Sequence, residues 1–325
     1  MKILLIQLKR IGDLILTTPA IRCLREAFPE ARLTLVADSS CRSLLPALDV
    51  DECLVVERGR WNAGILQKLP ALRADWCLDF SGTDRAAVFS VLSRSRRRVN
   101  FERFRGKLLR RFLYTDFVAS SVRDRHTADH YTDLLRPLGI EREGVPLNLR
   151  LPQDRTIPDL LATRGVTPPY AVIHPGTARP EKYWMPDRWA SVAEHLRETH
   201  GLVPVFTGSA APDEQTHLSA IQAAMRTPGV DLSGATDLAG LATVIAGAKV
   251  FCGVDTAAMH LADAVRTPVV ALFGPTNPFQ WRPRHTRSVV LRADTAEPFD
   301  VRQKGGPMAN IAESAVRAAL TLLIP

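Results

Sequence analysis

Short apolar runs alternate with amphipathic stretches along most of this 325-residue sequence, and no other feature constrains the fold as strongly. A short strand followed by a helix is the repeating unit of a parallel sheet covered by helices, so the alternation predicts an α/β fold. In the first half the pattern predicts strands at 2–7, 32–37, 52–56 and 75–79 and helices at about 13–28, 40–47, 62–72 and 83–92. The pattern fades between residues 95 and 135.

A stretch with several prolines, residues 137–169, separates this half from a second one in which the alternation restarts. Proline interrupts both helices and strands, which is typical of a linker. The second half predicts strands at 170–174, 202–207, 229–232, 249–252 and 268–273 and helices at about 187–200, 213–226, 237–247 and 256–265. A last amphipathic stretch at 311–323 predicts a closing helix. We therefore expect two Rossmann-like domains, residues 1–155 and 156–325.

Two glycine-containing turns, one in each half, join a predicted strand to a predicted helix. Gly12-Asp13 stands in the first, and Asp255-Thr256 follows Gly253 in the second. The N-terminus of a helix offers free backbone N–H groups and a positive dipole end, which hold phosphate groups. Two such turns in separate halves predict two domains that face each other across a ligand-binding cleft.

The net charge of +8 favours an anionic partner, but the charge is unevenly placed. Nine basic residues and one acid, Glu102, lie between residues 94 and 111; the basic ones are Arg94, Arg96, Arg97, Arg98, Arg103, Arg105, Lys107, Arg110 and Arg111. A solvated basic surface and a surface for anionic lipid head groups or phosphorylated sugars are both consistent with this segment. No recognised nucleic-acid-binding module accompanies it, which disfavours nucleic acid as the partner.

Composition and the cysteine pattern indicate a cytoplasmic globular protein. Hydrophobic residues make up 46% and charged residues 23%, no apolar run approaches the ~18 residues of a membrane span, and the first residues do not resemble a signal peptide. The five cysteines are odd in number and form no C-x-x-C pair. This pattern disfavours both a structural zinc site and a disulfide framework, and it is typical of reduced thiols.

Asp13 has two interpretations. It is either a helix-terminal carboxylate favoured by the helix dipole or a general base at the mouth of a cleft, to which Gly12 lets a substrate approach the backbone closely. The turn lacks the second and third glycines of G-x-G-x-x-G, which argues against a dinucleotide.

The second half holds the candidate phosphate-binding groups. The loop after the strand at 170–174 carries Thr177 and Lys182, which suit phosphate oxygens. Glu214 is either an ordinary acid in a first helical turn or a carboxylate that accepts hydrogen bonds from sugar hydroxyls. Asp255 and Thr256 begin a helix whose face also carries His260, and the three form the densest constellation of the sequence.

These same residues resemble glycosyltransferase family 9, the ADP-heptose:lipopolysaccharide heptosyltransferases. The resemblance spans nearly the whole chain in family order, and its motifs are Gly12 to Ala20, His174 to Thr177 with Lys182 to Trp184, Gly253 to His260, Leu272 to Thr276 and Trp281 to Pro283. It implies a GT-B fold in which the N-terminal domain holds the acceptor and the C-terminal domain holds the nucleotide sugar.

The resemblance also implies an inverting transfer of heptose from ADP-heptose to the inner core of lipopolysaccharide, with no required metal or cofactor. Carried over by position, Asp13 matches the general base. The donor-binding positions are Thr177, Lys182, Glu214, Asp255, Thr256 and His260. The expected acceptor is an anionic glycolipid, and the positions that fall where it is expected are Gly12 and the basic segment, including Arg97, Arg98 and Arg105. Peripheral contact at the inner-membrane surface is expected as well.

Two other functions remain open at this point. One is a related transferase with a different nucleotide sugar or acceptor, because nothing in the sequence identifies the base or the sugar directly. The other is a two-lobed nucleotide-sugar-binding protein without turnover, against which the joint presence of Asp13 and Lys182 argues.

Overall fold

The computed structural model describes residues 1–106, 110–152, 156–293 and 305–324. Its contacts divide the chain into two compact units, Met1–Arg150 and Leu151–Pro325. Lys107 of the basic segment and residue 155, where the first domain is predicted to end, lie outside the described residues.

The first unit is built on a six-stranded parallel sheet. Its strands are β1 (Lys2–Gln7), β2 (Arg32–Asp38), β3 (Glu52–Val56), β4 (Trp76–Asp79), β5 (Arg97–Phe101) and β6 (Asp116–Val118). They lie side by side in the order β3-β2-β1-β4-β5-β6. Every residue of β1 after Lys2 is buried, as expected for the central strand of a parallel sheet with helices on both faces.

The helices of this unit are α1 (Ile11–Leu16), α2 (Thr18–Ala27), α3 (Ala63–Leu72), α4 (Asp84–Leu92), α5 (Arg110–Leu113) and α6 (Thr127–Asp133). The single helix predicted at 13–28 is in fact two, because Pro19 has no N–H group to bond the carbonyl of Ile15. The Thr18 hydroxyl donates to that carbonyl instead, at 2.7 Å. The helix predicted at 40–47 is a 3₁₀ helix, Ser39–Ala47, with Pro46 inside it.

The sequence pattern did not predict β5 and β6, since β5 begins with two arginines. Their charges have partners at the amino end of the strand. Arg97 forms an ion pair with Asp116 and lies 4.8 Å from the centre of the Trp76 ring. Arg98 donates to the carbonyls of Ser95 and Leu113, at 2.9 and 2.7 Å.

The second unit repeats the architecture of the first. Its strands, in the order β12-β11-β10-β7-β8-β9, are β7 (Tyr170–His174), β8 (Val203–Phe206), β9 (Val230–Asp231), β10 (Val250–Val254), β11 (Val269–Phe273) and β12 (Ser288–Arg292). Its helices are α7 (Thr156–Thr163), α8 (Pro186–His200), α9 (Pro212–Ala224), α10 (Leu238–Ala246), α11 (Ala257–Ala264), α12 (Pro278–Trp281) and α13 (Glu313–Leu323). The predicted closing helix is α13, which packs on α8 and on the β11–β12 side of the sheet.

We expect the same glycine-to-alanine change to act in opposite directions at two positions. A Cβ at Gly253 in β10 would lie 2.9 Å from the His174 carbonyl oxygen and 2.8 Å from the Phe251 ring, so Gly253→Ala should destabilise the second unit by about 1–3 kcal/mol. A Cβ at Gly64 in α3 meets nothing within 4 Å, so Gly64→Ala should stabilise the first unit by about 0.4–1 kcal/mol. Urea unfolding of both variants measures the two changes, and a shift of the same sign in both would contradict the packing described.

Candidate active site

Asp13 lies in the first turn of α1, just beyond the carboxyl end of β1, and its side chain is half-buried. The Thr17 hydroxyl donates to the Asp13 carbonyl at 2.8 Å, and the Gln7 amide donates to that hydroxyl at 3.0 Å. Gly12 lies beside Asp13 in the same turn. The backbone that carries the carboxylate is therefore tied to the end of the central strand.

Tyr131, on α6, donates a hydrogen bond from its hydroxyl group to Oδ1 of Asp13. The tyrosine is only 1% exposed, and its ring packs edge-on against Phe80 with the ring centres 5.8 Å apart. Burial and the neighbouring Asp13 charge raise the pKa of Tyr131 well above its usual value. The phenol is therefore a neutral donor at physiological pH.

Lys9 lies close to the same tyrosine, with its Nζ atom 5.6 Å from the centre of the Tyr131 ring. Partial burial lowers the pKa of Lys9, and the positive charge of Arg103 adds to that effect. The charges of Asp13 and Asp79 oppose it. Lys9 thus belongs to the electrostatic surroundings of the Asp13 carboxylate.

Arg103 is the second cation near Asp13, with which it interacts electrostatically. Its guanidinium lies 5.7 Å from the centre of the Phe101 ring and 4.6 Å from that of Phe104. Among the described residues, neither Arg103 nor Lys9 forms an ion pair with a carboxylate. Two neighbouring cations without a paired carboxylate form a site suited to an anion.

Asp79 lies at the same edge of the first sheet as Asp13. It ends β4, is fully buried, and accepts hydrogen bonds from the backbone of Ser81 and Gly82 at 2.9 and 3.0 Å. The Tyr114 hydroxyl and the Asn100 amide also donate to it, at 2.6 and 3.1 Å. Burial raises the pKa of Asp79 despite these donors. Its role is to fix the loops around Asp13.

In the second unit, Lys182 and Asp255 form a buried ion pair at the carboxyl edge of the sheet. The Lys182 Nζ atom lies 2.7 Å from Oδ2 of Asp255 and 2.9 Å from its carbonyl oxygen. A buried ion pair is costly to desolvate and strongly destabilising to break on one side only, so the two residues act as a unit. The structure brings these two predicted donor residues together.

Thr256 directly follows this ion pair and is the N-cap residue of α11, but its side chain makes no capping hydrogen bond. Its hydroxyl oxygen is buried and bonds to none of the described residues. His260 is buried in the same helix, and its ring centre lies 6.5 Å from that of Trp281. An unpaired hydroxyl beside the first N–H groups of a helix suits a phosphate oxygen.

His174 and Glu214 lie near the carboxyl ends of β7 and β8. His174 shares a 2.9 Å hydrogen bond with the Thr207 hydroxyl, and burial lowers its pKa to about 4, so the ring is neutral at physiological pH. Glu214 accepts from the Ser209 N–H at 2.8 Å and lies so close to Gly176 that a Cβ there would be 2.2 Å from Oε2. A side chain at position 176 would therefore displace the Glu214 carboxylate from its present position.

Thr177 follows Gly176 and is buried, with its hydroxyl accepting from the Arg179 N–H at 3.2 Å. β7 pairs directly with β10, with Gly253 opposite His174. The loops that carry Thr177 and Asp255 therefore leave adjacent strands at the same edge of one sheet. The predicted donor residues are grouped at this edge.

The sequence profile of glycosyltransferase family 9 (heptosyltransferase) matches residues 63–310. The chain belongs to glycosyltransferase family 9. Lipopolysaccharide heptosyltransferase 3 of Escherichia coli K12 is 27% identical over 286 residues, which cover 84% of this chain and 82% of that protein.

Solved structures show the same fold. The glycosyltransferase of family 9 from Veillonella parvula superposes with a TM-score of 0.86 at 24% identity, covering 99% of this chain and 97% of its own. The ADP-heptose lps heptosyltransferase II of E. coli superposes with a TM-score of 0.80 at 23% identity, covering 100% and 98%. The match over residues 63–310 confirms the predicted family, and these structures confirm the predicted α/β fold of the GT-B class.

In this glycosyltransferase the arginines singled out from the sequence lie apart from Asp13. Arg97 and Arg98 are at the amino end of β5, whereas Asp13 follows the carboxyl end of β1, and both arginines have the partners described above. Arg105 pairs with Glu102 at 3.1 Å. Arg103, from the same basic segment, is the arginine that the structure places near Asp13.

The described residues of the glycosyltransferase include no group of three or more His, Cys, Asp or Glu side chains placed to hold a metal ion. No described helix has the length and apolar character needed to cross a bilayer. The five cysteines, all within the described ranges, are free thiols.

Proposed function

We propose that this glycosyltransferase transfers heptose from ADP-heptose to the inner core of lipopolysaccharide with inversion at the anomeric carbon. Asp13 is the general base, the unit predicted to span residues 1–155 binds the acceptor, and the unit predicted to span 156–325 binds the donor. The observation that carries the proposal is the Asp13 carboxylate itself. It is half-exposed, held by Tyr131, and accompanied by two cations that have no carboxylate of their own.

In the proposed reaction an acceptor hydroxyl gives its proton to Asp13 while its oxygen attacks the anomeric carbon of the donor heptose. The bond from that carbon to the diphosphate oxygen breaks, and ADP leaves with the electron pair. Positive charge develops on the sugar ring, as in other glycosyl transfers. Asp13 suits the role of base because a positioned carboxylate within hydrogen-bond reach of a hydroxyl accelerates such a step.

We propose that the second unit supplies the hydrogen-bond donors that stabilise the departing ADP. Lys182 is held at the carboxyl edge by Asp255, and the Thr256 hydroxyl stands beside the first N–H groups of α11. Such preorganised donors stabilise charge that develops in the transition state. We propose that Thr177, Glu214 and His260 complete the donor site and that the transfer needs no metal ion or cofactor.

Lys9 and Arg103 are proposed to bind an acidic group of the glycolipid acceptor, close to the hydroxyl that reacts. Their charges lie near Asp13 and are unpaired within the described part of the chain. This assignment replaces Arg97 and Arg98, which are engaged at the other end of β5. We place the protein at the cytoplasmic face of the inner membrane.

For membrane contact we propose the α4–α5 surface, defined by Arg85, Val88, Val91, Arg111 and Phe112. The three apolar side chains are 52%, 40% and 65% exposed, and the two helices pack together. The Arg111 guanidinium lies 4.6 Å from the centre of the exposed Phe112 ring. Exposed apolar side chains flanked by arginine suit an anionic lipid surface, where each basic residue contributes roughly 1 kcal/mol.

Asp13→Asn is expected to lower kcat by about 10²–10⁴-fold, because it removes the proton acceptor. The Kd for ADP-heptose should change little, since the donor residues lie on the other unit. Mass-spectrometric rates and calorimetric titration with ADP-heptose measure the two quantities. Asp187→Asn, which changes a first-turn carboxylate of α8 outside the proposed site, is the matched control. Unchanged turnover in Asp13→Asn would remove Asp13 from the mechanism.

A second prediction concerns the membrane. The protein should float with vesicles of phosphatidylethanolamine and phosphatidylglycerol but not with vesicles of phosphatidylcholine alone, and added salt should weaken the binding. Val88→Asp combined with Phe112→Asp should abolish flotation and leave transfer to a deacylated, water-soluble acceptor unchanged. Leu322→Asp, at a more exposed apolar position on α13, should float like the wild type. Equal flotation of all three proteins would contradict the assignment of the α4–α5 surface.

A further inference from the structure

The hydrogen bond between Tyr131 and Asp13 joins two elements that are far apart in the sequence. Tyr131 belongs to α6 and Asp13 to α1, and these helices pack against each other in the first unit. Among the described residues, no other group donates a hydrogen bond to the Asp13 carboxylate. The orientation of that carboxylate therefore depends on one phenol.

The packing of Tyr131 leaves its hydroxyl little freedom. The ring is buried and lies edge-on to Phe80, with the neighbouring His130 ring centre 5.7 Å away. The Lys9 ammonium faces the same ring at 5.6 Å, so the tyrosine also holds this cation beside Asp13. A side chain fixed by packing is a better support for a reacting group than an exposed one.

The hydrogen bond has one consequence for the carboxylate. Since Oδ1 accepts the phenolic hydrogen, Oδ2 is the oxygen left for an incoming hydroxyl. This suits a base that must be correctly oriented before it takes a proton.

We propose that Tyr131 is a positioning residue for the transfer reaction, which holds the Asp13 carboxylate with Oδ2 directed to the acceptor hydroxyl. This inference rests on the proposed role of Asp13 as the base. The competing interpretation is that a buried phenol needs an acceptor and that the bond serves stability alone.

The test is Tyr131→Phe, which keeps the ring and removes the hydroxyl. We expect kcat to fall about tenfold, the size expected when a hydrogen bond to a charged group is lost, with the KM for ADP-heptose unchanged.

Tyr170→Phe is the matched control. Tyr170 is an equally buried tyrosine whose hydroxyl donates to the Val244 carbonyl at 2.6 Å, and it lies in β7 outside the proposed machinery. Its variant should lower the melting temperature without changing kcat. If Tyr131→Phe behaves in the same way, the hydrogen bond is structural and the proposal is overturned.

A second measurement does not depend on the substrate. In protein labelled with ¹³C at the aspartate carboxyl carbons, the Asp13 signal is the one absent from Asp13→Asn. At neutral pH the chemical shift of this signal should change in Tyr131→Phe but not in Tyr170→Phe, because only the first variant removes the hydrogen bond to Oδ1, and an unchanged signal in Tyr131→Phe would overturn the proposal. Wild-type protein without heptose transfer would instead contradict the proposed function, so the two failures are distinguishable.

Discussion

Parallel pairing of the strands is the constraint on which both sites depend. In a parallel sheet every strand ends at the same edge, so the turns that follow neighbouring strands carry their side chains to one place. β1 pairs with β4, which brings the Asp13 turn beside Asp79. β10 pairs with β7, which brings the Asp255 turn beside His174. Each site therefore combines residues that are far apart in the sequence.

The two edges differ in how their charges are balanced. At the edge of the first unit a half-exposed carboxylate has one neutral donor and two nearby cations, which suits proton transfer from a hydroxyl and the binding of an acidic group. At the edge of the second unit the cation is already paired with a buried carboxylate and stands beside an unpaired hydroxyl. That arrangement suits a diphosphate, so the two sequence turns that look alike have different chemistry.

Much of the fold could be predicted from the sequence, because the periodicity of apolar residues indicates which segments are buried. The strands of both sheet centres followed from it, whereas the grouping of Lys182, Asp255 and Thr256 followed from the turns after those strands and from the family resemblance. The roles of Tyr131 and Lys9 could not, since Tyr131 lies on a short helix in a region without clear periodicity and its bond to Asp13 is a long-range contact. The acceptor role of the arginines of β5 stays a prediction, because charge in a sequence does not show whether the charge is already paired.

We propose a heptose transfer in which Asp13 of the first unit takes the proton of the acceptor hydroxyl and the second unit releases ADP. The most direct measurement incubates the wild-type protein with ADP-heptose and a truncated inner-core acceptor, then analyses the product by mass spectrometry and by NMR of its anomeric proton. The account predicts an acceptor heavier by one heptose residue, with inverted anomeric configuration and one ADP released for each heptose transferred. ADP-heptose that binds without transfer, or transfer only from another nucleotide sugar, would contradict it.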